Sequence, residues 1–257
     1  MSEQKVAIVT GAGAGIGRAI AIKLAKEGYK VAANGRQEGN TLETVELIRK
    51  NGGESFGVVA DVSSKSEVDQ MVKKVIDKYG RIDLLVNNAG VCPIRDLSEV
   101  TNESFENTIQ TNLFSMFYCA KAVSNHMIAQ RSGRIINAGS QSSFRQSGQT
   151  VEYATSKWAV RGLTRTLAAA LAPYNITVNA YCPGTVITPM QLGVAERRGG
   201  AKGQTVEEFY KERFKEIPLG RDQPVEEVAE LVYFLASDAG NNITGQNIMI
   251  NGGQVMC

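Results

Sequence analysis

Apolar runs of strand length alternate with helix-length amphipathic stretches from one end of the chain to the other. Val6–Thr10, Lys30–Asn34, Ser55–Ala60, Asp83–Asn87, Arg134–Ala138, Ile176–Tyr181 and Asn247–Ile250 are short, and several are rich in β-branched residues. A continuous run such as VAIVT suits a strand buried on both faces, since a half-solvated strand would alternate apolar with polar. Between them the spacing predicts helices over Gly15–Lys26, Thr41–Asn51, Ser66–Tyr79, Thr101–Ala129, Val151–Ala172 and Val225–Ser237. This alternation predicts an α/β fold of the doubly wound, Rossmann type. A parallel sheet of about seven strands, covered by helices on both faces, forms one domain over residues 1–257. Ligands of such sheets sit beyond the carboxyl ends of the strands, where the strand order reverses. The polar stretch Gln191–Lys215, containing GVAERRGGAKGQT, is long for a connection and reads as a lid or substrate loop at about 190–216.

Composition changes this picture little. A chain of 257 residues can bury one large core, and 43% hydrophobic with 21% charged residues is ordinary for a globular protein. The net charge of +2 gives no reason to invoke nucleic acid or an acidic membrane as partner. No apolar run approaches the roughly 20 residues needed to cross a bilayer. The start, MSEQKVAIVTG, lacks the charged-then-apolar layout of a signal peptide, so a cytoplasmic location is expected. Cys92, Cys119, Cys182 and Cys257 are scattered without a C-x-x-C pair, which suits reduced structural thiols and no metal cluster. The one histidine, His126, would have to carry zinc or Ser-His-Asp chemistry alone, and no metal is expected.

After the first strand comes Gly11-x-x-x-Gly15-x-Gly17, with Ala14 and Ile16 between the glycines. A G-x-G-x-x-G reading fails, because it ends on Ile16 or on Arg18. Glycines between a strand and a helix nevertheless allow backbone amides to approach a pyrophosphate at the helix N-terminus. The end of the second strand bears on the cofactor. An acid about 20 positions after the glycines binds the ribose 2′-hydroxyl of NAD, whereas an arginine accepts the 2′-phosphate of NADP. Here Gly35 stands at the acid position and Arg36 follows it, so NADP is preferred, with NAD as the alternative. Ala14 offers no second cation to that phosphate.

Tyr153 and Lys157 are four apart on a predicted helix, so they share a face. A phenol of ordinary pKa, about 10, is a poor proton carrier at neutral pH, and a neighbouring ammonium favours its phenolate.

Taken with their neighbours, these residues resemble the short-chain dehydrogenase/reductase family along essentially the whole chain. The likeness is carried by Thr10–Gly17, Asp61-Val62, Asn87-Asn88-Ala89-Gly90, Asn112, Ile136–Ser140, Tyr153–Lys157 and Pro183–Thr188. The resemblance implies that Tyr153 is the general acid in reduction and the general base in oxidation, and that Lys157 lowers its pKa and holds the nicotinamide ribose. It implies that Ser140 binds the substrate oxygen, ahead of Ser142 and Ser143. Asn112 would hold a water that links Lys157 to solvent. Asp61 would meet the adenine beside Val62, and Asn88, Ala89 and Gly90 would line the ribose. Pro183, Gly184, Val186 and Thr188 complete the implied cofactor contacts, with Thr188 on the carboxamide.

The family implies a nicotinamide-dependent oxidoreductase acting on a small carbonyl or secondary alcohol. Ala180–Gly184, Thr188–Met190 and Trp158–Thr164 are similar to acetoin reductase and butanediol dehydrogenase types. Polyol, 3-oxoacyl and sterol substrates stay open, as does a non-catalytic NADP-sensing regulator. Arg197, Arg198 and Lys202 suit either an anionic substrate or a solvated basic loop. A homo-oligomer, dimer or tetramer, is expected through the long helices. Ala168, Ala169, Ala170 and Ala172 give the later one a small-residue face, and the C-terminal Gly252–Cys257 either reaches a neighbour or frays.

Overall fold

The computed structural model describes residues 4–145 and 148–256. Seven strands form one sheet in the order β3-β2-β1-β4-β5-β6-β7. They are β1 (Val6–Val9), β2 (Lys30–Gly35), β3 (Ser55–Val59), β4 (Leu84–Asn87), β5 (Gly133–Ala138), β6 (Ile176–Pro183) and β7 (Asn247–Ile250). All neighbouring pairs run parallel. The order grows outward from β1 to β3 and then restarts on the other side at β4. The crevice beyond the ends of β1 and β4 is therefore the topological switch point, where ligands of such sheets bind.

Nine α-helices connect the strands among the described residues. On one face lie α1 (Gly15–Lys26), α2 (Glu38–Lys50) and α9 (Val225–Ala236); on the other lie α3 (Lys65–Tyr79), α5 (Ser115–Gln130) and α6 (Val151–Leu171). The remaining helices are α4 (Asn102–Ile109), α7 (Pro189–Gly200) and α8 (Val206–Lys215). Strand β1 shows why its pattern is continuously apolar. Ala7 and Val9 enter the core under α1, while Val6 and Ile8 enter the core under α3 and α5. Successive side chains point to opposite faces, and both faces are dry.

The predicted helix Thr101–Ala129 differs in a way that matters for the site. Thr101 caps α4 by a reciprocal pair with Ser104, at 3.0 and 3.1 Å. The helix then widens into a π-helical turn over Gln110–Phe114 before α5 begins. That turn holds Asn112 fully buried, and π-turns inside helices often mark functional positions.

The stretch Gln191–Lys215, expected as a polar loop, is instead mostly helical. Thr188 accepts from the Gln191 amide at 3.3 Å and Pro189 opens α7. Thr205 and Glu208 form a capping box that starts α8, with amide contacts at 3.2 and 2.8 Å. Among the described residues no helix is long and apolar enough to cross a membrane.

Candidate active site

The turn after β1 is built to bring backbone close to a ligand. Gly11 has φ +63, and a Cβ on Gly17 would collide with the Gly11 carbonyl. Ala14 precedes α1 without a side-chain cap, so the first amides of that helix are not engaged by its own cap residue. With Ile16, Gly15 and the loop after β4 they line a cavity of about 250 Å³. Thr188 closes over the turn, since a Cβ on Gly15 would lie 3.2 Å from its methyl group.

The loop after β4 is tied to this turn. The Thr10 hydroxyl accepts from the Asn88 and Ala89 amides at 2.9 and 3.1 Å, and the Asn88 side chain donates to Thr10 and Gly11 carbonyls at 3.0 and 3.2 Å. A Cβ on Gly90 would lie 3.1 Å from Asn112 Oδ1. Asn88, Ala89, Gly90, Pro183 and Thr188 all face the same cavity. Gly184 does not: its amide donates to Ile250 at 3.0 Å, and it lines an adjoining space with Val186.

Arg36, Asp61 and Val62 lie outside the cavity lining, following the carboxyl ends of β2 and β3. A Cβ on Gly35 would collide with the Thr41 hydroxyl, so a larger residue there requires Thr41 to move. Arg36 is 66% exposed, with its guanidinium 3.9 Å from Asp61. Burial works against ionising Asp61, but the Ser63 hydroxyl and amide, together with Arg36, hold its carboxyl below the usual range. Val62 packs in the core with Val68 and Met71.

Ser140, Tyr153, Lys157 and Asn112 come together beside the cavity. Ser140 follows β5 and its Oγ accepts from the Ser142 amide at 3.0 Å. Its hydroxyl is hydrogen-bonded to that of Tyr153. Ser143 is fully buried and donates to the Lys157 carbonyl at 2.8 Å, which makes it a brace for α6. Lys157 donates to the Ala138 carbonyl at 2.7 Å, and its ammonium lies 5.5 Å from the Tyr153 ring centroid. Asn112 accepts from the Val91 amide at 2.8 Å and donates to the Val91 carbonyl at 2.9 Å and to Ser156 at 3.0 Å. Its side chain is thus a clamp on the Val91 backbone. Burial pushes the Tyr153 phenol above its ordinary value, against the Ser140 hydrogen bond, and pulls Lys157 down to about 8.

Residues 5–199 match the family described as short chain dehydrogenase. The chain belongs to the short-chain dehydrogenase family. It is 40% identical to a 3-oxoacyl-[acyl-carrier-protein] reductase, FabG, of Staphylococcus epidermidis, over 98% of this chain and 99% of that one. It is 39% identical to an L-2,3-butanediol dehydrogenase of Corynebacterium glutamicum, over 98% of each. The crystal structure of a tryptophan variant of actinorhodin polyketide ketoreductase with NADPH superposes with a TM-score of 0.96. It is 35% identical and covers 99% of this chain and 98% of that one.

This short-chain dehydrogenase has a second, smaller space of about 140 Å³ next to the first, with Ser140 and Tyr153 in its wall. Arg198 of α7 and Phe209 and Arg213 of α8 line it, together with Arg145 and Cys92. Of the basic residues singled out in the sequence, Arg197 instead pairs with Glu99 at the surface, 2.9 Å away, and Lys202 is exposed. Burial pushes the Cys92 thiol up to about 11 and the Cys119 thiol up to about 12, so neither is poised as a nucleophile. Cys92 and Cys119 are unbridged thiols, whereas Cys257 lies outside the described residues. No group of three metal-ligating side chains occurs among the described residues.

The sequence reading missed Arg145, Arg213 and Tyr181 in this dehydrogenase. The Thr205-x-x-Glu208 spacing is a capping signature that announces α8, and with it Arg213. Tyr181 carried no local signal.

Proposed function

We propose that this oxidoreductase interconverts a small ketone and its secondary alcohol, with NADP preferred over NAD. The observation that carries the reading is the Ser140–Tyr153 hydroxyl pair standing between a glycine-built cavity and a smaller one. The turn from Gly11 to Gly17 and the N-terminus of α1, uncapped by Ala14, fit a pyrophosphate, and Asn88, Ala89, Gly90 and Thr188 fit the nicotinamide riboside beyond it. The reduced nicotinamide supplies the hydride.

In reduction, Ser140 donates to the carbonyl oxygen, held in aim by the Ser142 amide. Tyr153 gives its proton to that oxygen as the carbonyl carbon takes the hydride, and the product is the alcohol. Lys157, held against Ala138, favours the phenolate left behind and would hold the ribose hydroxyls of the bound cofactor. Asn112, in the π-turn, would hold a water that links Lys157 to solvent and lets the proton return to Tyr153. Oxidation runs the same groups in reverse. Pre-set donors and excluded water are what such a transfer needs.

NADP is supported by Arg36, a permanent and exposed cation where an acid would repel the 2′-phosphate. The ketoreductase neighbour carries NADPH. The small volume of the second cavity favours a short substrate over a sterol. Exposed Phe114, Phe117 and Trp158 on the elements around α5 and α6 support assembly of copies through these helices. Ala169, Ala170 and Ala172 are exposed there, whereas Ala168 is in the core.

The test is the loss of reduced-nicotinamide absorbance with a panel of diketones, ketoacids, hydroxyketones and 3-oxoacyl thioesters, using NADPH and NADH. Turnover that vanishes in Tyr153→Phe supports the reading; absence of turnover throughout the panel favours a cofactor-sensing regulator.

A further inference from the structure

The cavity beside Ser140 and Tyr153 carries more positive charge than reduction of a neutral ketone requires. Negative charge develops on one oxygen in that reaction, and the two hydroxyls already serve it. Yet Arg145, Arg198 and Arg213 line the same space, and no Asp or Glu does so among the described residues. They arrive from three separate places: the segment after β5, the last turn of α7 and the last turn of α8.

Cations in a last turn are also what a helix dipole favours, so the neighbouring residue is the useful control. Arg197, also in the last turn of α7, is 54% exposed and paired with Glu99 at the surface. Arg198 turns inward instead. The Arg213 side chain is 19% exposed, bonded to Glu216 at 2.7 Å and to Thr185 at 3.4 Å, which holds its position in the wall. Burial lowers the pKa of both Arg198 and Arg213; Cys92 opposes this at Arg198 and Glu216 at Arg213, while the charge of Arg145 adds to it at each. All three are half-buried, and although Glu216 offsets part of the Arg213 charge, like charges converging on one space gain from a bound anion. Gln141 lines the same space, and its Oε1 is buried without a hydrogen-bond partner among the described residues. That amide is a ready contact for a polar group on the same ligand.

We infer that the substrate is a small hydroxy or keto compound bearing an anionic group, a carboxylate, sulfonate or phosphate. The anion sits on Arg145, Arg198 and Arg213, and the reacting carbon lies at Ser140 and Tyr153. This rests on the hydride-transfer reading above and names its substrate class. Anchoring the far end by a planar guanidinium fork orients the carbonyl and raises the rate by positioning.

The experiment compares kcat/KM with NADPH for pairs alike in shape: acetoacetate against acetylacetone, pyruvate against diacetyl, dihydroxyacetone phosphate against dihydroxyacetone, and acetonylsulfonate against acetylacetone. In at least one pair the anion is expected to lead by about tenfold or more, as a charge-assisted contact gives. The winning pair identifies which anion is used. The lead should shrink as salt is raised, collapse in Arg198→Met and Arg213→Met, and survive in part in Arg198→Lys. Equal or better turnover of every neutral partner overturns the inference and leaves the hydride-transfer reading standing. If no compound turns over, that reading fails, and calorimetric binding of the same anions in the presence of NADP still decides the inference. Binding that weakens about tenfold in Arg198→Met supports it; no binding, or binding equal in wild type and variant, overturns it.

Discussion

The Tyr181 hydroxyl donates to Asn88 Oδ1 across 2.9 Å, and the Asn88 amide goes on to the carbonyls of Thr10 and Gly11. A residue of β6 thereby holds the glycine turn after β1, with the loop after β4 as the link. Tyr181→Phe leaves Asn88 Oδ1 without that donor. The expected cost is about 1–3 kcal/mol, part of it in cofactor affinity because the turn loosens. Thermal unfolding and NADPH titration by fluorescence check this; unchanged Tm and unchanged Kd would count against the linkage.

Tyr153→Phe is expected to abolish turnover while NADPH still binds, because the cradle from Gly11 to Gly17 does not depend on the phenol. Ser140→Ala should lower kcat by roughly 10²–10³, the usual effect of removing one oxyanion donor. Ser143→Ala should act differently, lowering Tm rather than kcat, since its hydroxyl serves the Lys157 carbonyl. Equal kinetic losses in Ser140→Ala and Ser143→Ala would remove the distinction between them.

The buried Lys157 predicts a pH-dependent stability with a definite sign. Its folded pKa is about 8 against an ordinary 10.5, so the unfolded chain binds the extra proton between those values. Below pH 8 the buried ammonium opposes folding, and that opposition fades as pH rises from about 8 to 10.5. Wild type should therefore gain stability relative to Lys157→Met across that window. Denaturant titrations of both proteins at several pH values measure it, and parallel curves would show that the lysine is not desolvated.

Arg36→Ala should lower kcat/KM for NADPH by about tenfold and leave NADH nearly unchanged, because one charge-assisted contact is lost only with the 2′-phosphate. Replacing Gly35 by Asp to favour NAD should fail by itself, since its Cβ collides with the Thr41 hydroxyl. Pairing it with Thr41→Ala makes room and should restore folding. Steady-state kinetics with both cofactors, beside Tm values, separate the electrostatic effect from the steric one.

Assembly gives a further check. With Phe114, Phe117 and Trp158 each at least 40% exposed, replacing Phe117 and Trp158 by Glu should convert an oligomer to smaller species in sedimentation. A wild-type protein that sediments as a monomer would contradict assembly through these helices.

The strands, their parallel sheet and most helices were legible along the chain because they depend on local periodicity, which neighbours in sequence carry. The glycine turn and the Tyr153–Lys157 pair were legible for the same reason: their members lie within one turn or one helix face. The helices α7 and α8 were hidden by a polar, glycine-containing composition, although Thr188-Pro189 and Thr205-x-x-Glu208 mark their starts. The tertiary structure alone decided the rest. It separated Ser140 from Ser143 by what each hydroxyl meets, and it gave Gly35 a packing reason through Thr41. It joined Tyr181 to Asn88 across 93 positions of sequence. It also gathered Arg145, Arg198 and Arg213 around one small space. Such contacts arise where strands end and helices cross, so their partners are set by sheet order and packing, and no local pattern announces them.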